Sequence, residues 1–177
     1  MNALTTTPSS TRRRVTIDAL AAGCAIAFVV VLAIAAYWDP TIRALHVFEA
    51  TPYLAAAVLS LRQRKSGYLL GMASGGFWLW TASVRTTFVR NGFECLALLV
   101  RTGHVDRPDI LIAAPAAIAT GGMVLFSLWG YSRLRHKSWR DLGLLVVALA
   151  AVFAFFIAIF AAFAPRYLGM FGHLFGG

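Results

Sequence analysis

Acidic residues are what this sequence has least of: 7 Asp and Glu among 177 residues, against 16 Lys and Arg, with 4 His and 2 Cys. Charged residues of both signs come to 13% and hydrophobic ones to 59%. A soluble domain carries roughly 25% charge, so this chain lacks the polar groups to cover its own surface in water. A bilayer removes that requirement. The net charge of +9 does not point to nucleic acid, because the basic residues fall in short clusters between apolar runs and not on one face or tail. Cys24 and Cys95 have neither metal-ligand spacing nor the pattern of a disulfide framework. Also missing are an HExxH pair, a P-loop, a GxSxG elbow and a glycine-rich dinucleotide turn. No cofactor is required by any motif.

Five long apolar runs are present, over 15–38, 42–61, 66–84, 110–131 and 142–164. Each is close to the roughly 17–25 residues that cross a bilayer as a helix. None alternates as a membrane strand would, and an isolated span must satisfy its backbone internally. The expectation is an all-α integral membrane bundle of five transmembrane helices, a single domain over 15–164. A flexible basic tail (1–14) precedes it and a short interfacial tail (165–177) follows.

The connectors orient it. Arg12, Arg13 and Arg14 precede the first run; Arg62, Arg64 and Lys65 join the second to the third; Arg133, Arg135, Lys137 and Arg140 join the fourth to the fifth. Five spans put all three clusters on one side, which the positive-inside rule makes cytoplasmic, with the N-terminus inside. This places the protein in a plasma or bacterial inner membrane. Residues 1–36 also resemble a secretory signal ending in Ala33-Ile34-Ala35. Their apolar core of about 18 residues exceeds the usual 7–15, which favours an uncleaved anchor.

The outer connector, 85–109, carries Arg85, Arg90, Glu94, Arg101, His104, Asp106, Arg107 and Asp109 around the patch FECLALLV. Eight apolar residues cannot span, so an amphipathic helix at the interface is expected, burying Phe93, Leu96, Leu98 and Leu99.

The second run carries the stretch HVFEATPY, residues 46–53. At 100° per residue Arg43, His46, Glu49 and Tyr53 form one polar stripe, with Val47, Phe48, Leu54 and Val58 opposite. Glu49 lies about 10 Å inside the outer boundary, where an unpaired carboxylate costs a few kcal/mol. Pro52 removes a backbone donor there and predicts a kink, as does Pro115 in the fourth run. In the third run Gly67, Gly71 and Gly75 share a face with Arg85, and packing that face on the stripe would let Arg85 neutralise Glu49. Gly121 and Gly122, with neighbouring alanines, give the fourth helix a small-residue packing surface. The fifth, with Phe153, Phe155, Phe156, Phe160 and Phe163, should face lipid or a partner. Trp38, Trp78, Trp80, Trp129 and Trp139 read as interfacial anchors.

His46 and Glu49 could give a metal two ligands from one helix, but no second pair exists and only His104 stands at similar height; His136 and His173 fall in the cytoplasmic cluster and the tail. Metal and bis-histidine haem are therefore not expected. Three functional readings remain: a non-catalytic accessory or structural subunit, partnered by other membrane chains or by itself; a small oligomeric transporter or channel using His46, Glu49, Tyr53 and Arg85; and, less well supported, an intramembrane enzyme or redox subunit.

Overall fold

The computed structural model describes residues 9–134 and 137–171. Residues 1–8, Arg135 and His136 of the basic cluster, and 172–177 with His173 lie outside the described part. Seven α-helices follow in order: α1 (Ser9–Trp38), α2 (Arg43–Leu61), α3 (Lys65–Trp80), α4 (Phe88–Thr102), α5 (Pro108–Leu111), α6 (Ala113–Ser132) and α7 (Trp139–Phe163). No strand occurs among the described residues. Four stretches are long and apolar enough to cross a membrane: Ile17–Trp38, Pro40–Leu61, Pro108–Ser132 and Trp139–Phe163. The third sequence run divides differently. Its α-helix ends at Trp80 and continues directly into a π-helical turn, Thr81–Arg85, closed by a bond from Thr86 N to Thr81 O (3.1 Å).

Local chemistry sets the boundaries. Asp39 ends α1 and accepts from Thr41 N (2.9 Å) and Thr41 Oγ1 (2.6 Å), with Pro40 beginning a short 3₁₀ turn into α2. Ser138 and Asp141 make a reciprocal capping box at the start of α7. Gly103, at φ 70°, supplies the left-handed residue that stops α4. The two prolines expected to bend their helices differ in position. α2 runs unbroken through Pro52, whereas Pro115 sits in the first turn of α6, where its missing N–H has no helical partner to lose.

Helix α3 is the centre, packed against α2, α6 and α7, while α1 closes the other side of α2 and α6. Phe28, Tyr53, Ala73, Met123 and Phe156 meet in the core. The glycine face of α3 does not lie wholly on α2, as the sequence reading had it. A Cβ at Gly67 would strike the α2 backbone at Leu59 and Ser60, but one at Gly75 would lie 2.8 Å from Met123 Cε and Val124 Cγ2 of α6. A Cβ at Gly71 would likewise meet Ser127 of α6. The face therefore serves two neighbours, because its glycines wind around α3 as the helix rises. In α6, Gly122 is a close contact, with Cys24 Sγ of α1 2.8 Å from its virtual Cβ. Gly121 is not: a Cβ there meets nothing within 4 Å.

The basic connectors share one end of the bundle, where they hold two buried carboxylates that sequence reasoning passed over. Asp18 of α1, 6% exposed, accepts from Tyr68 Oη of α3 and from Gln63 Nε2 (3.0 Å). Gln63 holds a left-handed φ of 53° in the α2–α3 turn. That conformation costs roughly 1–2 kcal/mol, which its bond to Asp18 offsets. Asp141, 5% exposed, accepts from Lys65 Nζ (3.0 Å), Tyr131 Oη (3.0 Å) and Ser138 N (3.0 Å). One acid thus ties α1 to α3 and the α2–α3 turn; the other ties α7 to α3 and α6.

Removing Asp18 should take away the hydrogen bond that the buried Tyr68 hydroxyl donates to it. Asp18→Leu is expected to lower unfolding stability in detergent by about 1–3 kcal/mol, and adding Tyr68→Phe should recover much of it, giving a double-mutant coupling of at least ~0.5 kcal/mol. Additive effects of the two substitutions would show that the contact is not what joins α1 to α3.

Candidate functional site

The opposite end of the bundle is built differently. The polar stripe of α2 forms as its spacing requires, with His46, Glu49 and Tyr53 one above another. Tyr53 is fully buried, its ring 4.4 Å from that of Phe28 and its hydroxyl donating to Ser74 O of α3 (3.1 Å). Arg43 turns back from the start of α2 and donates through Nε to Ala36 O (3.3 Å), near the C-terminal end of α1, where a cation complements the helix dipole. Glu49 is 5% exposed. His46 Nδ1 lies 2.9 Å from Glu49 Oε2, an i, i+3 contact within α2. A contact of this length fixes the orientation of the carboxyl group against the imidazole. Arg85, expected beside Glu49, stands half-buried at the end of the π turn.

Glu49 and His46 open onto a cavity of about 540 Å³ enclosed by α1, α2, α3, α6 and α7 and by the segment after α3. This falls within the roughly 300–1,000 Å³ typical of small-molecule sites. Its deeper wall is apolar and aromatic: Phe28, Leu32, Phe77, Trp78, Phe156 and Phe160. Its rim is polar: Asp39, Thr86, Thr87, Asn91 and Asp109. Trp38 and Trp78, expected only as interfacial anchors, both line it. Trp129 and Trp139 lie at the basic end, Trp129 beneath the Arg133 guanidinium (4.9 Å) and Trp139 almost fully exposed.

The π turn supplies the odd group. Thr81 lines the cavity and is 9% exposed, yet among the described residues its Oγ1, like Ser127 Oγ of α6, has no hydrogen-bond partner. Native proteins rarely leave a buried hydroxyl unmatched, and π turns recur at functional sites. The sequence signal for this wall was the polar run Thr81, Ser83, Thr86, Thr87 and Asn91, directly after an apolar span. It was obscured because Thr81 and Ser83 were read as the end of the third span and the rest as part of an interfacial connector. In the structure α4 folds back on α6, with a virtual Cβ of Gly92 2.7 Å from Ala113 Cβ. Phe93 and Leu98 of α4 point away, exposed.

The rim carboxylates are anchored. Asp39 is held below the usual carboxylate range by the Thr41 hydroxyl and then the Thr41 N–H, with weaker help from Arg166 and His46, so it is ionised at neutral pH. Asp109 lies 3.2 Å from Arg107. His104 pairs with Asp106 (3.1 Å) on the exposed connector. Among the described residues, no three His, Cys, Asp or Glu converge as a metal site would require.

No family model, curated protein or solved structure matches this chain. The site must be read from its own chemistry.

Two substitutions separate the paired hydroxyl from the unpaired one. Tyr53→Phe should cost about 0.5–1.5 kcal/mol, because Ser74 O loses its donor. Thr81→Val, which keeps shape and removes an unmatched hydroxyl, should leave thermal stability unchanged or raise it. A clear fall in melting temperature for Thr81→Val would mean that the hydroxyl has a structural partner.

Proposed function

We propose that this protein is a five-span cell-membrane protein that binds, and passes, a small solute through the cavity around Glu49 and His46. The observation carrying the reading is the cavity itself: about 540 Å³, lined by residues of the end away from the basic connectors, with a buried ionisable pair on its wall. Intramembrane ionisable groups are costly and tend to mark solute or proton pathways. The fifth span is Lys65–Arg85, α3 and the π turn taken as one continuous helix. Counting it gives an odd number of crossings, with the basic clusters on the cytoplasmic side and the cavity mouth facing out. Helix α4, with Phe93 and Leu98 exposed, would then rest at the outer interface.

The subunit reading is favoured by α7, whose Leu142, Leu144, Val146, Val147 and Leu149 are all exposed. Lipid covers such a face as readily as a partner helix does, so it decides less than the cavity. The enzyme or redox reading would use the same His46 and Glu49, with no further acid or base beside them in the span.

Cysteine accessibility tests this reading. In a Cys24→Ser, Cys95→Ser background, Ala82→Cys on the cavity wall should react with a membrane-impermeant thiosulfonate added outside intact cells. Arg62→Cys, at the basic end, should react only after the membrane is opened. Ala82→Cys reacting from the Arg62 side, or from neither, would contradict the outward-opening cavity.

A further inference from the structure

Charge is distributed unevenly around the cavity. Three of the protein's seven carboxylates, Asp39, Glu49 and Asp109, line it, while among the described residues no lysine or arginine does. In a chain of net charge +9, this is a local reversal of sign. A cluster of acids is not by itself a site, but a second feature points the same way. The buried hydroxyl of Thr81, a residue of the cavity wall, has no partner among the described residues, so it can accept a hydrogen bond from something held inside. Aromatic side chains, Phe28 and Trp78 among them, supply the rest of the surface.

We propose that the solute is an amphipathic organic cation, a primary or secondary ammonium on an apolar or aromatic body. This rests on the solute-binding reading above and assigns its substrate class. The ammonium would donate to Glu49, whose carboxylate His46 orients, and to Thr81 Oγ1. The apolar body would lie against the aromatic wall, where ring faces attract a cation within about 6 Å. Asp39 and Asp109 at the rim would draw cations toward the mouth and repel anions, an effect that salt screens over about 10 Å at 0.1 M. A small inorganic cation fits less well. It needs several oxygen ligands converging at short range, whereas most of this surface is hydrocarbon. An anion would meet three carboxylates and, among the described lining residues, no lysine or arginine.

The test compares three probes of similar size on the purified full-length protein in detergent: dibenzylammonium, uncharged dibenzyl ether and diphenylacetate. Binding is read by tryptophan quenching, with protein-free micelles and a tryptophan peptide as references. Dibenzylammonium should bind saturably, at least tenfold more tightly than either other probe. Glu49→Gln should weaken it at least tenfold, and Thr81→Val several-fold. Because Glu49→Gln could disturb folding, Asp109→Asn at the exposed rim serves as a second variant, expected to weaken the cation about twofold at low salt and not at 0.5 M salt. Equal binding of cation and ether, unchanged in Glu49→Gln, would overturn the cation assignment and leave a solute cavity standing. Preferential binding of diphenylacetate would do the same. No saturable binding of any probe would sink the cavity reading itself.

Discussion

The constraint on which this structure depends is that a polar group in hydrocarbon must find its partner within the protein. Seven carboxylates are too few to be scattered, and three of them, Asp18, Glu49 and Asp141, are buried. Two are used as fasteners. Asp18 and Asp141 each accept at least two hydrogen bonds from other helices or turns, and they sit where the arginine-rich connectors gather. An acid there is surrounded by donors, which is what burial of a carboxyl group requires. The result is one rigid end, at which α1, α3, α6 and α7 are tied together by side chains and not only by packing.

Glu49 is treated differently. Its recorded hydrogen-bond partner, His46, comes from its own helix, so this contact does not clamp one helix to another. Among the described residues, no side chain fills the space beside it. Large apolar residues converge from α1, α3 and α7, yet they leave a cavity, and the π turn after α3 adds a hydroxyl with nothing to bond. Structural polar groups are normally satisfied, and exceptions call for a cause. A carboxylate that meets a histidine of its own helix and a threonine hydroxyl with no partner among the described residues share one explanation if a ligand completes both. The fold thus divides its labour: the basic end supplies rigidity, and the acidic end retains room.

Much of the architecture was legible from composition, since long apolar runs and clustered arginines need no tertiary information. The α2 stripe was legible too, because helical period alone puts His46, Glu49 and Tyr53 on one face. What could not be read was how the helices face each other. The glycines of α3 signalled close approach but not to whom, and they divide between α2 and α6. Gly121 and Gly122 look alike in sequence, and only crossing geometry makes one a contact and the other open. Asp18 was hidden by its position at the start of an apolar run, as its partners Gln63 and Tyr68 lie 45 and 50 residues away. The cavity wall from Thr81 to Asn91 was concealed by a π turn, which breaks the α period without leaving a glycine or proline to announce it.

The central claim is that the space beside Glu49 holds a molecule and not a neighbouring chain. Native mass spectrometry of the protein released from its own membrane measures this most directly. The account predicts a single type of chain, alone or self-associated, carrying a small cationic adduct at one per chain that Glu49→Gln no longer retains. A stoichiometric second polypeptide, with no small-molecule adduct in either form, would contradict it and make this protein a subunit whose cavity is filled by its partner.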